Sequence, residues 1–233
     1  HTFTSKYRKG DERREAYDGL LNVDYNALMD SRVEDIDNEQ LLYFMDAVFN
    51  DGAIILTNAP DIKHESLHDI VVSNVGKTLG GELSHGSLYG NTFHVKSVPN
   101  ANNVAYTADA LCPHQDLAYY ESKPGFQLLH CKSMPSDIIG GESILIDCMA
   151  AAHTMRDLAP DLFETLVKCP ATFVKQREGA CMTYSKPHIV LQQSGHDDLN
   201  DMMREIVAIH WAPPFEGPLN IPPDQVPKYY KAY

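Results

Sequence analysis

The sequence predicts a mainly β domain with flanking helices, built around an elaborated jelly-roll barrel. Three observations support this fold class. Two helical patterns, separated by a short β-branched run, occupy the region before residue 80. Short β-rich segments follow, separated by Pro, Gly and Asn. One long helical stretch interrupts these segments, so we expect helices that lead into a sheet core with a helical insertion.

The amino-terminal elements follow from hydrophobic spacing. Apolar residues recur at helical intervals within Asp37–Asn50 and predict a helix. The β-branched run at 53–57 ends at Asn58-Ala59-Pro60 and predicts a buried strand. A second helix is predicted near 64–78, before Gly80-Gly81.

The later elements are mostly predicted strands. Helical pattern covers Ala150–Lys168 and restarts at Pro160, a residue favoured in the first turn of a helix. A further helix is expected at Val226–Tyr233. The β-rich runs that predict strands are 92–98, 104–107, 126–132, 143–147, 171–174, 189–192 and 206–210.

Length and charge limit the domain organisation and the classes of binding partner to be expected. A chain of 233 residues is long enough for one main domain. Its 19 basic and 32 acidic residues give a formal net charge of −13, which disfavours nucleic-acid partners because too few cations are present to neutralise phosphates. The acidity is compatible with a cationic small-molecule substrate, or it serves solubility alone.

Cysteine usage and hydropathy indicate a compartment. The five cysteines are odd in number and contain no C-x-x-C pair, which favours neither a disulfide framework nor a self-contained zinc finger. No apolar run approaches the roughly 20 residues that span a bilayer. We therefore expect a cytoplasmic protein with no membrane partner.

The motif that indicates chemistry is His114-Gln115-Asp116. If this segment is a strand, His114 and Asp116 leave the same face and can meet one metal ion. One imidazole and one carboxylate, joined by a second imidazole, form the facial triad that suits iron(II). Taken alone, the motif is equally compatible with a solvated surface pair.

The surrounding residues extend this motif to a family. The runs 110–120, 124–131 and 140–147 occur in order and closely resemble the γ-butyrobetaine and trimethyllysine dioxygenases, which are TauD-like dioxygenases. The run Asn100–Thr107 resembles the γ-butyrobetaine branch in particular. The resemblance is strong over roughly residues 40–175 and looser elsewhere. It implies that His114 and Asp116 are catalytic iron ligands.

The resemblance also implies the fold core and the reaction. The expected core is a double-stranded β-helix, the jelly-roll of cupin-like proteins. The expected reaction uses iron(II), the co-substrate 2-oxoglutarate and O2, with ascorbate as reductant, and hydroxylates a substrate while releasing succinate and CO2. The protein positions the substrate and excludes water, whereas the oxidative chemistry belongs to the cofactor. The expected substrate is γ-butyrobetaine or a related trimethylammonium acid, as in carnitine biosynthesis.

Aromatic residues match the positions of a quaternary-ammonium cage in this family. Ring faces attract a trimethylammonium group, which offers no hydrogen bond. The resemblance assigns Tyr89, Phe93 and Tyr106 to this cage, although Phe93 replaces a larger indole. Core packing is the alternative for each ring.

Other assignments concern the two carboxylate ligands. The resemblance places Asn103 and Leu129 beside the 2-oxoglutarate or substrate carboxylate, whereas a turn cap and a core residue are the alternatives. Leu117 replaces a polar aromatic residue, and the stretch containing Trp211 replaces an Asn-rich substrate segment. Both differences leave the exact substrate open. Trimethyllysine or another small amine or amino acid, and a non-catalytic binding protein of the same fold, remain alternatives.

The resemblance leaves part of the site unassigned. The distal iron histidine and the 2-oxoglutarate arginine are expected beyond Tyr233, and His210 is the less favoured candidate for that histidine. His1 resembles the last ligand of a small amino-terminal zinc domain, or is simply solvated. We therefore divide the chain into 1–35, the end of a zinc-binding domain and linker, and 36–233, a dioxygenase domain incomplete at its carboxyl terminus. A homodimer is left open.

Overall fold

The computed structural model describes residues 20–30, 39–62, 69–80, 83, 89–101, 104–177, 179–193 and 202–233. The chain forms two compact units. The first contains the described residues up to Lys96 together with Phe126–Ile139, and the second contains Ser97–Gly125 and Gly140–Tyr233. The predicted boundary at residue 35 lies outside the described residues. Within the described ranges, no helix has the length and apolar character needed to cross a membrane.

The first unit packs a parallel two-stranded sheet against helices. Its elements are β1 (Leu21–Asp24), α1 (Tyr25–Asp30), α2 (Glu39–Asp51), β2 (Ile54–Thr57) and α3 (Ile70–Gly80). The predicted helix at Asp37–Asn50 is confirmed as α2, which buries Phe44 and Ala47. The strand predicted at 53–57 is confirmed as β2, but its residues are half-buried rather than buried. The second predicted helix is confirmed over α3, and its predicted start lies outside the described residues.

The described residues of the second unit form two antiparallel strand pairs and three α-helices. Its elements are α4 (Cys148–Leu158), α5 (Pro160–Lys168), β3 (Pro170–Arg177), β4 (Ala180–Pro187), β5 (Ile189–Leu191), β6 (Ile206–Ile209) and α6 (Val226–Ala232). The helical pattern predicted at 150–168 is confirmed as two helices. Asp147 caps α4 through the Ala150 amide at 2.9 Å, and Pro160 opens α5.

A buried core joins these elements of the second unit. Phe163 on α5, Phe173 on β3 and Ala212 after β6 are fully buried. Tyr229 on α6 is also buried in this core, so the last helix is held by packing as well as by its own hydrogen bonds.

Four strand predictions are wrong within the described residues. The runs 92–98, 126–132 and 143–147 have no strand assignment, and Val104–Tyr106 is a 3-10 turn. Apolar and β-branched residues favour extended backbone, but a strand also needs a neighbour to receive its hydrogen bonds. Ile144, Leu145 and Ile146 are largely exposed, consistent with the lack of such a neighbour here. The described strands form three two-stranded sheets, none of which closes into a barrel.

Candidate metal centre

The His114-Gln115-Asp116 segment is a loop that enters a turn, so the premise that it is a strand is wrong. Leu117 has a φ of 57°, an unfavourable value for a residue with a branched side chain, and it turns the chain directly after Asp116. Ala118 and Tyr119 are buried in the core of the second unit. The Tyr120 amide donates to the Leu117 carbonyl at 3.0 Å. Core packing and this hydrogen bond therefore hold the turn that follows the motif.

His114 and Asp116 nevertheless face each other. His114 Nε2 lies 3.4 Å from Asp116 Oδ1. His114 Nδ1 lies 2.7 Å from the Cys112 carbonyl oxygen, which can only accept, so Nδ1 carries the proton and donates. In the neutral ring, Nε2 therefore keeps its lone pair and points it toward the carboxylate. This is the tautomer that a metal ligand needs, fixed by the hydrogen bond at the other nitrogen.

The surroundings of the pair restrain the imidazole more than the carboxylate. The His114 side chain is 19% exposed and packs edge-on against the Phe215 ring, with centroids 5.9 Å apart. The Asp116 side chain is 47% exposed. The pair thus combines a restrained imidazole with a carboxylate that is about half exposed.

Gln115 connects the pair to the segment that follows β6. Its amide donates to the Trp211 carbonyl at 2.7 Å. Its side-chain oxygen receives the Lys123 ammonium at 3.0 Å and faces the Trp211 amide at 3.4 Å. Neither Gln115 nor Lys123 is predicted as a site residue from the sequence. Gln115 could have been suspected from its position between the two predicted ligands, His114 and Asp116, whereas the sequence carries no signal for Lys123.

His210 and His188 are not part of this pair. His188 is buried and neutral, because burial lowers its pKa below the ordinary value. Its Nδ1 donates to the His210 carbonyl and its Nε2 accepts from the Tyr229 hydroxyl, each at 2.7 Å. Burial, together with the Lys186 and Lys123 charges, lowers the pKa of His210 to about 3. No group of three or more metal-ligating side chains occurs among the described residues, so a third iron ligand is not identified there.

The predicted substrate residues fall in different units. Tyr89 and Phe93 lie in the first unit and form an edge-to-face pair, with ring centroids 4.9 Å apart and planes at 73°. Tyr106 lies in the second unit, on the 3-10 turn. Phe93 is 36% exposed. The structure therefore brings Tyr89 and Phe93 together.

The remaining predicted residues have varied surroundings. Leu129 belongs to the first unit and is 78% exposed, so the alternative that it is a core residue is wrong. Leu117 packs partly against the core of the second unit. Trp211 stacks on Tyr233 with centroids 4.7 Å apart. Asn103 and His1 lie outside the described residues.

Comparison with known proteins identifies the family. Residues 22–232 match the model of the taurine catabolism dioxygenase TauD, TfdA family. The chain belongs to this family.

Three curated proteins illustrate what this chain is similar to. Dioxygenase str8 of Strobilurus tenacellus is 33% identical over 146 residues, which are 63% of this chain and 32% of that protein. Gamma-butyrobetaine dioxygenase of Pseudomonas sp. (strain AK-1) is 33% identical over 147 residues, or 63% of this chain and 36% of that protein. Mitochondrial trimethyllysine dioxygenase of Gallus gallus is 34% identical over 88 residues, or 38% of this chain and 21% of that protein. The chain thus spans about a third of the length of the first two relatives, and the predicted resemblance to these dioxygenases is confirmed.

Proposed function

We propose that the protein is an iron(II)- and 2-oxoglutarate-dependent hydroxylase of γ-butyrobetaine or a related trimethylammonium acid. The observation that supports this most directly is the His114–Asp116 pair, in which Nε2 of a fixed tautomer faces a carboxylate oxygen at 3.4 Å. This pair occurs in a chain of a dioxygenase family. Two relatives named gamma-butyrobetaine dioxygenase or trimethyllysine dioxygenase point to the substrate class.

The donor set fits iron(II). One imidazole nitrogen and one carboxylate oxygen are two of the three donors in the facial arrangement of non-haem iron oxygenases. When bound, iron(II) supplies O2 activation coupled to conversion of 2-oxoglutarate to succinate and CO2, with the second oxygen atom entering the substrate as a hydroxyl group. His114 and Asp116 would hold the ion, and no third donor is assigned among the described residues.

The other residues of this chain prepare the two donors. The Cys112 carbonyl fixes the His114 tautomer, and Phe215 covers one edge of its ring. Gln115 fixes the backbone between the two donors against Trp211. These contacts reduce the number of side-chain and backbone arrangements that must be ordered when a metal binds.

Features of the first unit support a cationic substrate. The Tyr89–Phe93 pair presents aromatic surface of the kind that attracts a quaternary ammonium group. Asp69 lies close to this pair, because it accepts a hydrogen bond at 2.7 Å from Thr92, the residue before Phe93. The His94 ring contacts the other Asp69 oxygen at 3.0 Å. From the family resemblance, we also propose substrate-binding roles for Tyr106, Leu117 and Trp211, and carboxylate-binding roles for Asn103 and Leu129.

Further parts of the proposal rest on family resemblance alone. They are a double-stranded β-helix core, ascorbate as reductant, structural zinc bound with the help of His1, a cytoplasmic location, and the division at residue 35. Each remains a prediction for the complete protein.

Product analysis tests the function. The complete protein is incubated with iron(II), ascorbate, O2 and 2-oxoglutarate, and succinate is measured with γ-butyrobetaine, with trimethyllysine and without a substrate. We expect succinate formation that depends on γ-butyrobetaine and yields one hydroxylated product per succinate. The Asp116→Asn variant should lose this activity, whereas Asp109→Asn, at an exposed position, should retain it.

Two results would change the proposal. If succinate forms with trimethyllysine alone, the proposed substrate changes from γ-butyrobetaine to trimethyllysine, in agreement with the relatives named trimethyllysine dioxygenase. Absence of turnover with every amine, in a protein that still binds 2-oxoglutarate, would favour a non-catalytic binding member of the family.

A further inference from the structure

A basic cluster lies in the second unit, formed by Lys123, Lys186 and His210. Lys186 is 8% exposed and His210 is 9% exposed, while Lys123 is half-buried. The three groups are close enough that both lysine charges disfavour protonation of His210. This concentration of basic groups is unusual in a chain whose formal net charge is −13.

Among the described residues, no carboxylate balances the charge of the two lysines. Lys186 Nζ donates to the Tyr120 carbonyl at 2.9 Å and lies 5.2 Å from the centre of the Tyr184 ring. Lys123 Nζ donates to Gln115 Oε1 at 3.0 Å. Among the described residues, no carboxylate oxygen lies within 4.0 Å of either ammonium. An ammonium group has three donors, so each lysine retains N–H groups that these contacts do not use.

The histidine of the cluster carries an independent sign of a missing partner. His210 Nδ1 is enclosed and has no hydrogen-bond partner within the described part of the chain. Buried polar nitrogens are normally satisfied, and a buried ammonium without a counter-charge is energetically unfavourable. Burial lowers the pKa of both lysines, as expected for cations that lack a neutralising neighbour. A bound anion would supply an acceptor for donors that the described contacts leave unused.

The cluster is connected to the metal pair. Lys123 binds the side chain of Gln115, the residue between His114 and Asp116. His210 directly precedes Trp211, whose backbone bonds to Gln115. An anion held by the cluster would therefore lie in the immediate neighbourhood of the segment that carries both donors.

We propose that Lys123, Lys186 and His210 form a binding site for the carboxylate group of a small-molecule ligand. The identity of the ligand rests on the proposed function, which supplies two sources of this chemistry. One is a carboxylate of the dicarboxylic co-substrate, and the other is the carboxylate of the trimethylammonium acid. The two lysines neutralise the charge, and His210, neutral with its proton on Nδ1, donates to a carboxylate oxygen.

Ligand titration of the metal-free complete protein tests this site. The probes are succinate, which cannot chelate through a 2-oxo group, and γ-butyrobetaine, each compared with its amide. Binding is followed by the emission of Trp211, the one tryptophan in this sequence, and by calorimetry. We expect Lys123→Met and Lys186→Met each to weaken carboxylate binding at least about tenfold, because a hydrogen bond from a charged donor is lost. Lys231→Met, at an exposed position, should bind like the wild type.

The outcomes separate the two sources. Loss of succinate binding alone assigns the site to the co-substrate, and loss of γ-butyrobetaine binding alone assigns it to the substrate. Unchanged affinities in folded methionine variants would overturn the site. So would an amide that binds the wild type as tightly as its carboxylate, a comparison that needs no substitution and holds even if a variant fails to fold.

The test is independent of turnover. If the protein binds carboxylates through these lysines but forms no hydroxylated product, the proposed binding site stands and the proposed function does not. If the wild type forms the hydroxylated product and both methionine variants bind and react normally, the proposed function stands and the proposed binding site does not.

Discussion

Replacement of Gln115 by alanine tests how the metal pair is held. The substitution removes the acceptor of the Lys123 ammonium at 3.0 Å and of the longer Trp211 amide contact at 3.4 Å. It keeps the 2.7 Å backbone bond from the Gln115 amide to the Trp211 carbonyl. A hydrogen bond to a charged group contributes about 1.5–3 kcal/mol, and the lower part of this range applies because the site is half-buried. The longer contact adds little.

The expected result is a loss of about 1.5 kcal/mol in the free energy of unfolding. For a chain of this length, that corresponds to a midpoint lower by roughly 3–6 °C in thermal denaturation. Co(II) affinity, measured by equilibrium dialysis, should fall by up to about tenfold because the segment between the donors loses a restraint. Gln192→Ala is the matched control, since that side chain is exposed. Equal Co(II) affinity and equal midpoints in the two variants would refute the positioning role of Gln115.

Three further predictions concern the second unit, the histidines and the substrate. Tyr229→Phe should lower the free energy of unfolding, measured by urea titration, by about 1–3 kcal/mol, because it leaves buried His188 Nε2 without a hydrogen-bond donor. Tyr230→Phe, at an exposed position, is the control and should change this free energy by less than about 0.5 kcal/mol. The pKa values of His188 and His210 are lowered in the fold, so their contribution to the free energy of unfolding should be fully present above about pH 6.5. As the pH decreases below this value, the free energy of unfolding should fall by up to about 1.4 kcal/mol per pH unit for each histidine. A flat profile between about pH 6.5 and 4 would contradict this prediction. Tyr89→Leu should raise the KM for γ-butyrobetaine several-fold and leave the KM for 2-oxoglutarate unchanged. Phe126→Leu, at an exposed position, is the control, and equal effects of the two substitutions would argue against the aromatic cage.

The helices could be predicted from sequence because their signals are local. Apolar spacing identified α2, and Pro160 marked the start of α5. The strands at 171–174, 189–192 and 206–210 were also predicted, and each has an antiparallel partner in the structure. The run at 143–147 has the same composition but no partner among the described residues. Composition favours a strand, whereas pairing with a distant segment decides whether one forms.

The candidate site was predictable in part for a similar reason. The His114–Asp116 pair was identified from spacing and flanking motifs, although the expected strand is a turn that depends on the positive φ of Leu117. The contacts of Gln115 with Trp211 and of Lys186 with Tyr120 join residues that are distant in the sequence and meet only in the fold. No local pattern specifies such contacts.

Anaerobic iron(II) binding to the complete protein tests the central claim most directly. Iron(II) is measured after gel filtration in the wild type and in the His114→Ala, Asp116→Asn and Asp109→Asn proteins, in the presence of 2-oxoglutarate. The His114–Asp116 pair predicts stoichiometric iron in the wild type and in Asp109→Asn, and loss of iron in the other two variants. Equal iron content in all four proteins would show that this pair is not the metal centre.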